Sequence, residues 1–568
     1  MGSLEQYLDK SEKGKSLFEV EIRKNKIPVC GDFIRNGRIV PTVFTPMNIS
    51  LSTKDSDKVR QKLPHLSKAN SNKILEGIPP KTVKQIKGKK VAVLFSGGPA
   101  AGGHNVVAGM FDILGRDNTL FGVNSGPKGL IKGDLFKVKA EDIKRIRNTG
   151  GFDYLGSDRT KIKTNEQYEG VKKTCIDNDL DAIVIVGGDD SNTNAAFLAE
   201  YLFENVKKDG SGVQVIGVPK TIDGDLQIKK HLPISFGFDT ATKIYSEMVG
   251  NILQDTPSSR KYWHFVKLMG RSASHVALEV ALQTKPAVAL VSEEVAEKQM
   301  SLHQIVEQIA SAVIKRAQNK MNYGVVVVPE GVIEFIPEMT IMIKELNKVV
   351  AEKEKELENK HIEEKRDILA QNMCKENMDL FVSLPEYIQE MMLFDRDAHG
   401  NLQVSQIPTE KLLIDMVKKY LKNNAPDVKF SALNHFFGYE GRCGAPTLFD
   451  AAYTYNLGLT AGSLVMSGRT GYMASFTELD KGGNSLAIPL TGILHAETRG
   501  GKEELVIKKA LVELDSPAFK YFAKHREKWG ENDLFVSPGP RQLWGPASNQ
   551  MPITVALNQG YKSLSLKV

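Results

Sequence analysis

Five times between Lys89 and Gly331 a short apolar run ends in a cluster of glycine and polar residues, and no other feature limits the fold of this chain as tightly. Residues 91–95 lead into Ser96-Gly97-Gly98-Pro99-Ala100-Ala101-Gly102-Gly103, and 104–114 then carry a helical period. Residues 183–186 lead into Gly187-Gly188-Asp189-Asp190-Ser191-Asn192, with 193–203 as the next helix. Residues 213–218 run into Pro219-Lys220-Thr221-Ile222-Asp223-Gly224-Asp225, 264–268 into Met269-Gly270-Arg271, and 323–328 into Pro329-Glu330-Gly331. Strands that alternate with helices in this way form parallel α/β sheets. Each polar cluster then sits just past the carboxyl end of a strand, where open parallel sheets bind ligands. The clusters are expected to converge on one crevice.

At 568 residues the chain is too long for one ordinary domain, and its 41% hydrophobic content suffices for several cores. Its 75 basic and 68 acidic residues are interleaved, so the net charge of +7 forms no nucleic-acid stripe and favours an anionic substrate only mildly. Cys30, Cys175, Cys374 and Cys443 lie far apart without a Cys-x-x-Cys pair, which argues against a disulfide framework or a zinc site and suits a reducing compartment. No apolar run approaches the roughly 18 residues of a membrane span. The expectation is a soluble, cytoplasmic protein with neither a membrane nor a nucleic acid as partner.

Residues 334–430 break the alternation. Within them 344–370 are densely charged, with Leu346, Val350 and Leu357 at helical spacing and Glu356 placed to pair with Lys360. A helical insertion with a solvated face is expected there. Asp395-Arg396-Asp397-Ala398-His399-Gly400 begins like a calcium loop, but His stands at the fifth position and Gln406 at the twelfth, so a polar turn is the better reading. Trp263, His264 and Phe265 read as core and wall of a strand, and His104 as a helix cap.

Three of the loops carry residues suited to chemistry. The loop 97–103 has small residues where a backbone must approach a ligand, and it hands over to a helix N-terminus whose free N–H groups attract anions. It lacks the Gly-Lys-Ser/Thr ending of a Walker loop and the spacing of a dinucleotide fingerprint, so a phosphate cradle and a tight structural turn both stand. Asp189 and Asp190 are adjacent carboxylates that repel each other unless a cation or donor intervenes. Magnesium is a natural partner, because it takes one or two carboxylates together with phosphate oxygens and water; a capping aspartate beside a solvated neighbour is the alternative. Lys220 precedes Thr221, Asp223 and Asp225. A point charge beside two carboxylates suits phosphoryl transfer onto an alcohol, which needs a cation for the developing charge and a base for the hydroxyl proton. A salt-bridged turn would use the same residues.

Taken in order, Ser96-Gly97-Gly98, Gly187-Gly188-Asp189-Asp190, the run 219–225, Met269-Gly270-Arg271, Pro329-Glu330-Gly331 and Tyr439-Glu440-Gly441-Arg442 resemble the motifs of the phosphofructokinases, in particular their long pyrophosphate-dependent branch. The resemblance runs from about Lys89 to Arg442 and continues through 443–450. It implies two Rossmann-like α/β domains with parallel sheets. Residues 89–236 would form the phosphoryl-donor domain, completed by segments after 443. Residues 237–333 and 431–442 would form the fructose 6-phosphate domain. Residues 1–88 would be an extension packed on a core, 334–430 the helical insertion, and 443–568 a part returning to both domains.

The same resemblance assigns roles. Asp223 would be the base that takes the proton from the sugar's 1-hydroxyl, with Thr221, Ile222 and Asp225 around it, and Asp189 would hold Mg2+. Gly97, through its backbone, and Arg159 would hold the donor. Met269, Gly270, Arg271, Glu330, Tyr439, Glu440, Gly441 and Arg442 would bind fructose 6-phosphate, with the arginines on its phosphate. Lys261 and Tyr262 would be reached from a neighbouring subunit, which implies a homodimer or a higher homo-oligomer.

Donor choice rests on Asp190 and Lys220, where ATP-using relatives usually carry glycine. A carboxylate at 190 would repel a nucleotide's α-phosphate, and Lys220 would supply the cation that a short donor needs. The expected reaction turns pyrophosphate and fructose 6-phosphate into fructose 1,6-bisphosphate and phosphate. An ATP-dependent kinase of the same fold and a non-catalytic regulatory subunit are the rival readings. Asp190 and Lys220 argue against the first, and the retained Thr221-Ile222-Asp223 and Asp189 against the second.

Overall fold

The computed structural model describes residues 16–79, 86–204, 206–207, 209–358, 360–394, 406–499, 502–542 and 545–567, and the calcium-like run 395–400 lies outside them. The chain divides into two compact units. The first comprises Met1–Ala241, Glu440–Ala510 and Arg541–Val568, and the second comprises Thr242–Tyr439 and Leu511–Pro540.

The sheet of the first unit has ten strands. Its centre is parallel, in the order Thr119–Val123, Lys90–Ser96, Ala182–Gly187, Gln214–Pro219, Tyr472–Thr477. These central strands are buried almost throughout, as expected for parallel strands covered on both faces. Over one face lies Leu448–Met466, packed so closely on Gly103–Leu114 that a methyl group added to Gly109 would stand 2.2 Å from Tyr455 O. Asn484–Pro489, Lys73–Ile78 and Val43–Ser50 then extend the sheet antiparallel. The N-terminal residues, expected only to pack on a core, therefore supply its outer strands. Val43–Ser50 suits that margin: Phe44 alone is fully buried in it, and it contains Pro46, which lacks the N–H an inner strand must donate. Val59, Leu63 and Leu66 join the same core as Ala92, Ile183 and Ile488.

The second unit holds a four-stranded parallel sheet in the order Val288–Ala289, Gly324–Pro329, Trp263–Leu268, Ala432–Phe437. The expected insertion is helical: Pro337–Glu352, Ile362–Asn372, Lys375–Ser383, Glu386–Phe394 and Thr409–Asn424. Its apolar stripe is no satellite, because Leu346, Leu369, Phe381 and Leu412 share one core with Trp263 and Val326. The expected pair of Glu356 with Lys360 does not form. The helix Glu354–Leu357 ends between them, so Glu356 meets Lys353 at 2.8 Å and Lys360 meets Glu364 at 3.3 Å.

All four cysteines are free. Among the described residues no helix is long and apolar enough to cross a membrane.

Candidate active site

Each predicted strand appears within about a residue of its expected ends, so the glycine-rich loops sit at the carboxyl ends of strands, where open parallel sheets bind ligands. In the first unit the loops after Lys90–Ser96, Ala182–Gly187 and Gln214–Pro219 come together. Ser191 donates its hydroxyl to Ser96 Oγ at 2.8 Å, and Lys220 N–H bonds Gly187 O at 2.9 Å. Asn192 closes the second loop on itself by donating to Gly187 O at 2.7 Å and Gly188 O at 2.9 Å. Here the helix begins earlier than expected, at Asp189 rather than residue 193, with Gly188 as its cap. Asp189 and Asp190 thus occupy the first helical turn, where the positive end of the helix dipole favours carboxylates.

Three cations gather over the first loop. Gly97 takes φ +83, open to glycine and strained for other residues, and a methyl group there would lie 3.4 Å from Lys220 Nζ. At Gly98 a methyl group would lie 2.2 Å from Arg442 Nη1 and 3.8 Å from Arg159 Nη2. The close approach explains the two glycines, since any side chain would displace the charges. Lys220 is 6% exposed. Burial pushes its ammonium down to about 8, with Arg442 adding to the depression and Asp223 opposing it.

The carboxylates lie beside these cations. Asp223 N–H bonds Thr221 Oγ1 at 3.1 Å, and Gly224, at φ +74, turns the chain so that Asp225 follows. Asp225 is buried, and its Oδ2 lies 3.2 Å from Lys509 Nζ. Burial holds Asp189 above the ordinary carboxylate range; Asp225 and Asp190 add to this while Lys509 opposes it. A cation would relieve that strain. Among the described residues no three His, Cys, Asp or Glu side chains are grouped to cage a metal. The set nonetheless fits magnesium, which asks for one or two carboxylates and takes its other ligands from phosphate and water.

Two of the expected site residues have surroundings that the sequence did not indicate. Arg442, grouped by sequence with the sugar-phosphate residues, falls in the first unit together with Glu440 and Gly441, and its guanidinium stands at Gly98 in the first glycine-rich loop. Asp190 is not a bare carboxylate: its Oδ1 lies 2.9 Å from Lys161 Nζ. The pair borders a hollow of about 270 Å³ lined by Ile162, Asn194, Phe197 and Leu505 among others. Asp190 therefore carries its charge as one half of an ion pair. The Ile222 side chain is 5% exposed and packs towards Gly237.

In the second unit Met269, Gly270, Glu330 and the backbone of Arg271 form one cluster. Gly270, at φ +135, donates its N–H to Glu330 Oε2 at 3.0 Å, and Glu330 N–H bonds Leu268 O at 3.0 Å. Met269 N–H bonds Phe437 O at 3.0 Å, and a methyl group on Gly331 would strike Arg271 O at 1.9 Å. Arg271 and Tyr439 present exposed side chains. Lys261 Nζ lies 5.0 Å above the ring of Tyr262.

The sequence reading missed Lys161, Lys509 and Phe152. Phe152 stacks on Phe95 at 4.0 Å and faces Lys220 Nζ at 6.0 Å. Lys161 lies two positions after Arg159. No local motif marks Lys509. His104, read as a cap, is instead buried inside its helix, with Nδ1 2.8 Å from Thr149 Oγ1.

Residues 90–465 match the family model described as Phosphofructokinase. The chain is 47% identical over 482 residues to the pyrophosphate–fructose 6-phosphate 1-phosphotransferase subunit beta 2 of Arabidopsis thaliana, covering 83% of this chain and 82% of that one. It is 45% identical over 509 residues to the pyrophosphate–fructose 6-phosphate 1-phosphotransferase of Treponema pallidum, covering 87% and 88%. Among solved structures, the pyrophosphate-dependent phosphofructokinase of Marinobacter aquaeolei superposes with a TM-score of 0.50 at 16% identity, over 81% of this chain and 98% of that one, which speaks for the fold alone. With a family model spanning well over half of its residues and such relatives along most of its length, the chain belongs to the phosphofructokinase family.

Proposed function

We propose that this chain transfers a phosphoryl group from pyrophosphate to the 1-hydroxyl of fructose 6-phosphate, with magnesium as cofactor. The observation that carries the proposal is the gathering of Lys220, Arg159 and Arg442 at Gly97 and Gly98, beside the carboxylates of Asp189, Asp223 and Asp225. Two linked phosphates present concentrated negative charge, and three cations on a backbone without side chains match it. The naming of close relatives for this reaction supports the same reading.

In this account Lys220 and Arg159 bind the donor, and Arg442 joins them. Asp189 holds the magnesium ion, which when bound supplies charge neutralisation on the phosphate oxygens. Asp223 takes the proton of the sugar's 1-hydroxyl at its carboxylate, while Thr221 and Asp225 shape the loop that presents it. Met269, Gly270, Arg271, Glu330 and Tyr439 of the second unit, together with Glu440 and Gly441, bind fructose 6-phosphate. One phosphoanhydride is consumed and one phosphate ester made, so the reaction runs in both directions.

We assign the activity to the cytoplasm and the protein to a homodimer or larger homo-oligomer, with Lys261 and Tyr262 offered to a neighbouring subunit. Sedimentation of the purified chain tests the second assignment; a monomer would remove it. Donor profiling tests the reaction itself. With fructose 6-phosphate and magnesium, pyrophosphate should support turnover at least about a hundredfold better than ATP by kcat/KM. A preference for ATP would overturn the proposal.

A further inference from the structure

Asp225, which with Asp189 and Asp223 builds the carboxylate group, has a partner delivered from far along the chain. Its buried Oδ2 lies 3.2 Å from Lys509 Nζ, and the charge of this ammonium also acts on Asp189 and Asp223. The segment that carries Lys509 is fastened on both sides. Ile507 donates its N–H to Thr193 Oγ1 at 2.9 Å, and Thr193 lies on the helix that begins at Asp189. Ala510 donates its N–H to Asp225 O at 2.7 Å. Lysine side chains ordinarily carry their charge out to water. The segment around this one is tied to the helix that begins at Asp189 and to the loop that bears Asp225, which makes it a built-in counter-charge.

Phosphoryl-transfer sites often balance their negative charge with two metal ions. Here an ammonium takes up part of that charge in the protein itself. We propose that Lys509 is a positioning residue that stands in for a second divalent cation: it holds Asp225 and cancels its charge, so that the site takes a single metal ion at Asp189 and leaves Asp223 as base. The inference rests on the reading of Asp189 as the metal carboxylate given above.

Removing Lys509 then has two opposed effects. Metal binding tightens, because a fixed positive charge has left the carboxylates. Turnover falls, because Asp225 is no longer held and surplus negative charge faces the incoming donor. A purely structural role would weaken both together.

The test uses the full chain and Mn2+ alone, titrated by calorimetry and by the electron paramagnetic resonance of the free ion, without pyrophosphate. Lys509→Met should bind Mn2+ about tenfold or more tightly than the wild type and take up a second ion. Its kcat should fall about tenfold or more while KM for fructose 6-phosphate stays within about threefold. Lys509→Arg should restore wild-type metal binding. The Lys509 side chain is 36% exposed, so these variants are expected to fold, and Lys509→Gln repeats the measurement should Met disturb the segment. Unchanged or weaker Mn2+ binding in both uncharged variants overturns the proposal. Asp189→Asn separates the two readings: if it leaves Mn2+ binding intact, the metal assignment falls; if it abolishes binding while the uncharged variants bind as the wild type does, the role of Lys509 alone falls.

Discussion

Asp223 sits in a turn closed by its own neighbours, with its N–H on Thr221 Oγ1 and the positive φ of Gly224 directly after it. The turn thus fixes the backbone from which the carboxylate projects. Asp223→Ala should lower turnover by about 10²–10⁴ with the circular dichroism spectrum unchanged; near-normal turnover would remove Asp223 as the base. Asp190 invites a different variant, since Lys161 holds it at the margin of a hollow. Asp190→Gly deletes the proposed obstacle to ATP and releases Lys161. Competition assays should then show pyrophosphate use weakened and ATP use gained, more so when Lys220→Gly is added, and an unaltered donor ratio would dismiss both residues as determinants. What was legible at this scale was what lay inside motifs: Asp189, Lys220 and Asp223 stand beside glycines and beside one another. Lys161 and Lys509 acquire their meaning only through carboxylates that folding brings to them.

Elements were legible where local and global preference agree. The central strands are apolar runs bounded by glycine, and they appear within about a residue of their expected positions because parallel strands bury both faces. Asp189–Tyr201 starts earlier than its sequence suggests, since two acidic residues after two glycines read equally well as a loop. Lys73–Ile78 and Val43–Ser50 were not foreseen as strands, because the element that recruits them, Asn484–Pro489, lies far downstream. The insertion was recognised as helical, yet its charged composition concealed how deeply one face is sunk. Leu346 is fully buried in the core that also contains Trp263 and Val326. Leu346→Ala should therefore destabilise the second unit by about 2–5 kcal/mol in urea titrations. Faster hydrogen exchange should appear along Gly324–Pro329 and not along Lys90–Ser96, whose core is separate. Equal exchange in both strands would mean that the insertion helices do not support the sheet of their own unit.

At the scale of the whole molecule, a net charge of +7 says little about where charge matters, because the decisive cation is buried. Lys220 titrates near 8 in the folded chain against 10.5 for an ordinary lysine, chiefly because burial disfavours the ammonium. Between those two values the unfolded chain binds the additional proton, so stability must rise as pH increases through that window and the penalty is complete below it. Function runs the other way. In the proposed reaction the donor needs the ammonium, so kcat/KM for pyrophosphate should fall above pH 8, approaching tenfold per unit as the free enzyme loses the proton. Lys220→Met abolishes both dependences at once. The melting temperature of the variant should exceed that of the ligand-free wild type at pH 7, and the gap should narrow towards pH 10. Added pyrophosphate should raise the wild-type melting temperature most at the lower pH and leave the variant nearly unmoved. A gap that stays constant with pH would show that burial does not depress Lys220, and the opposition between stability and donor binding would disappear with it.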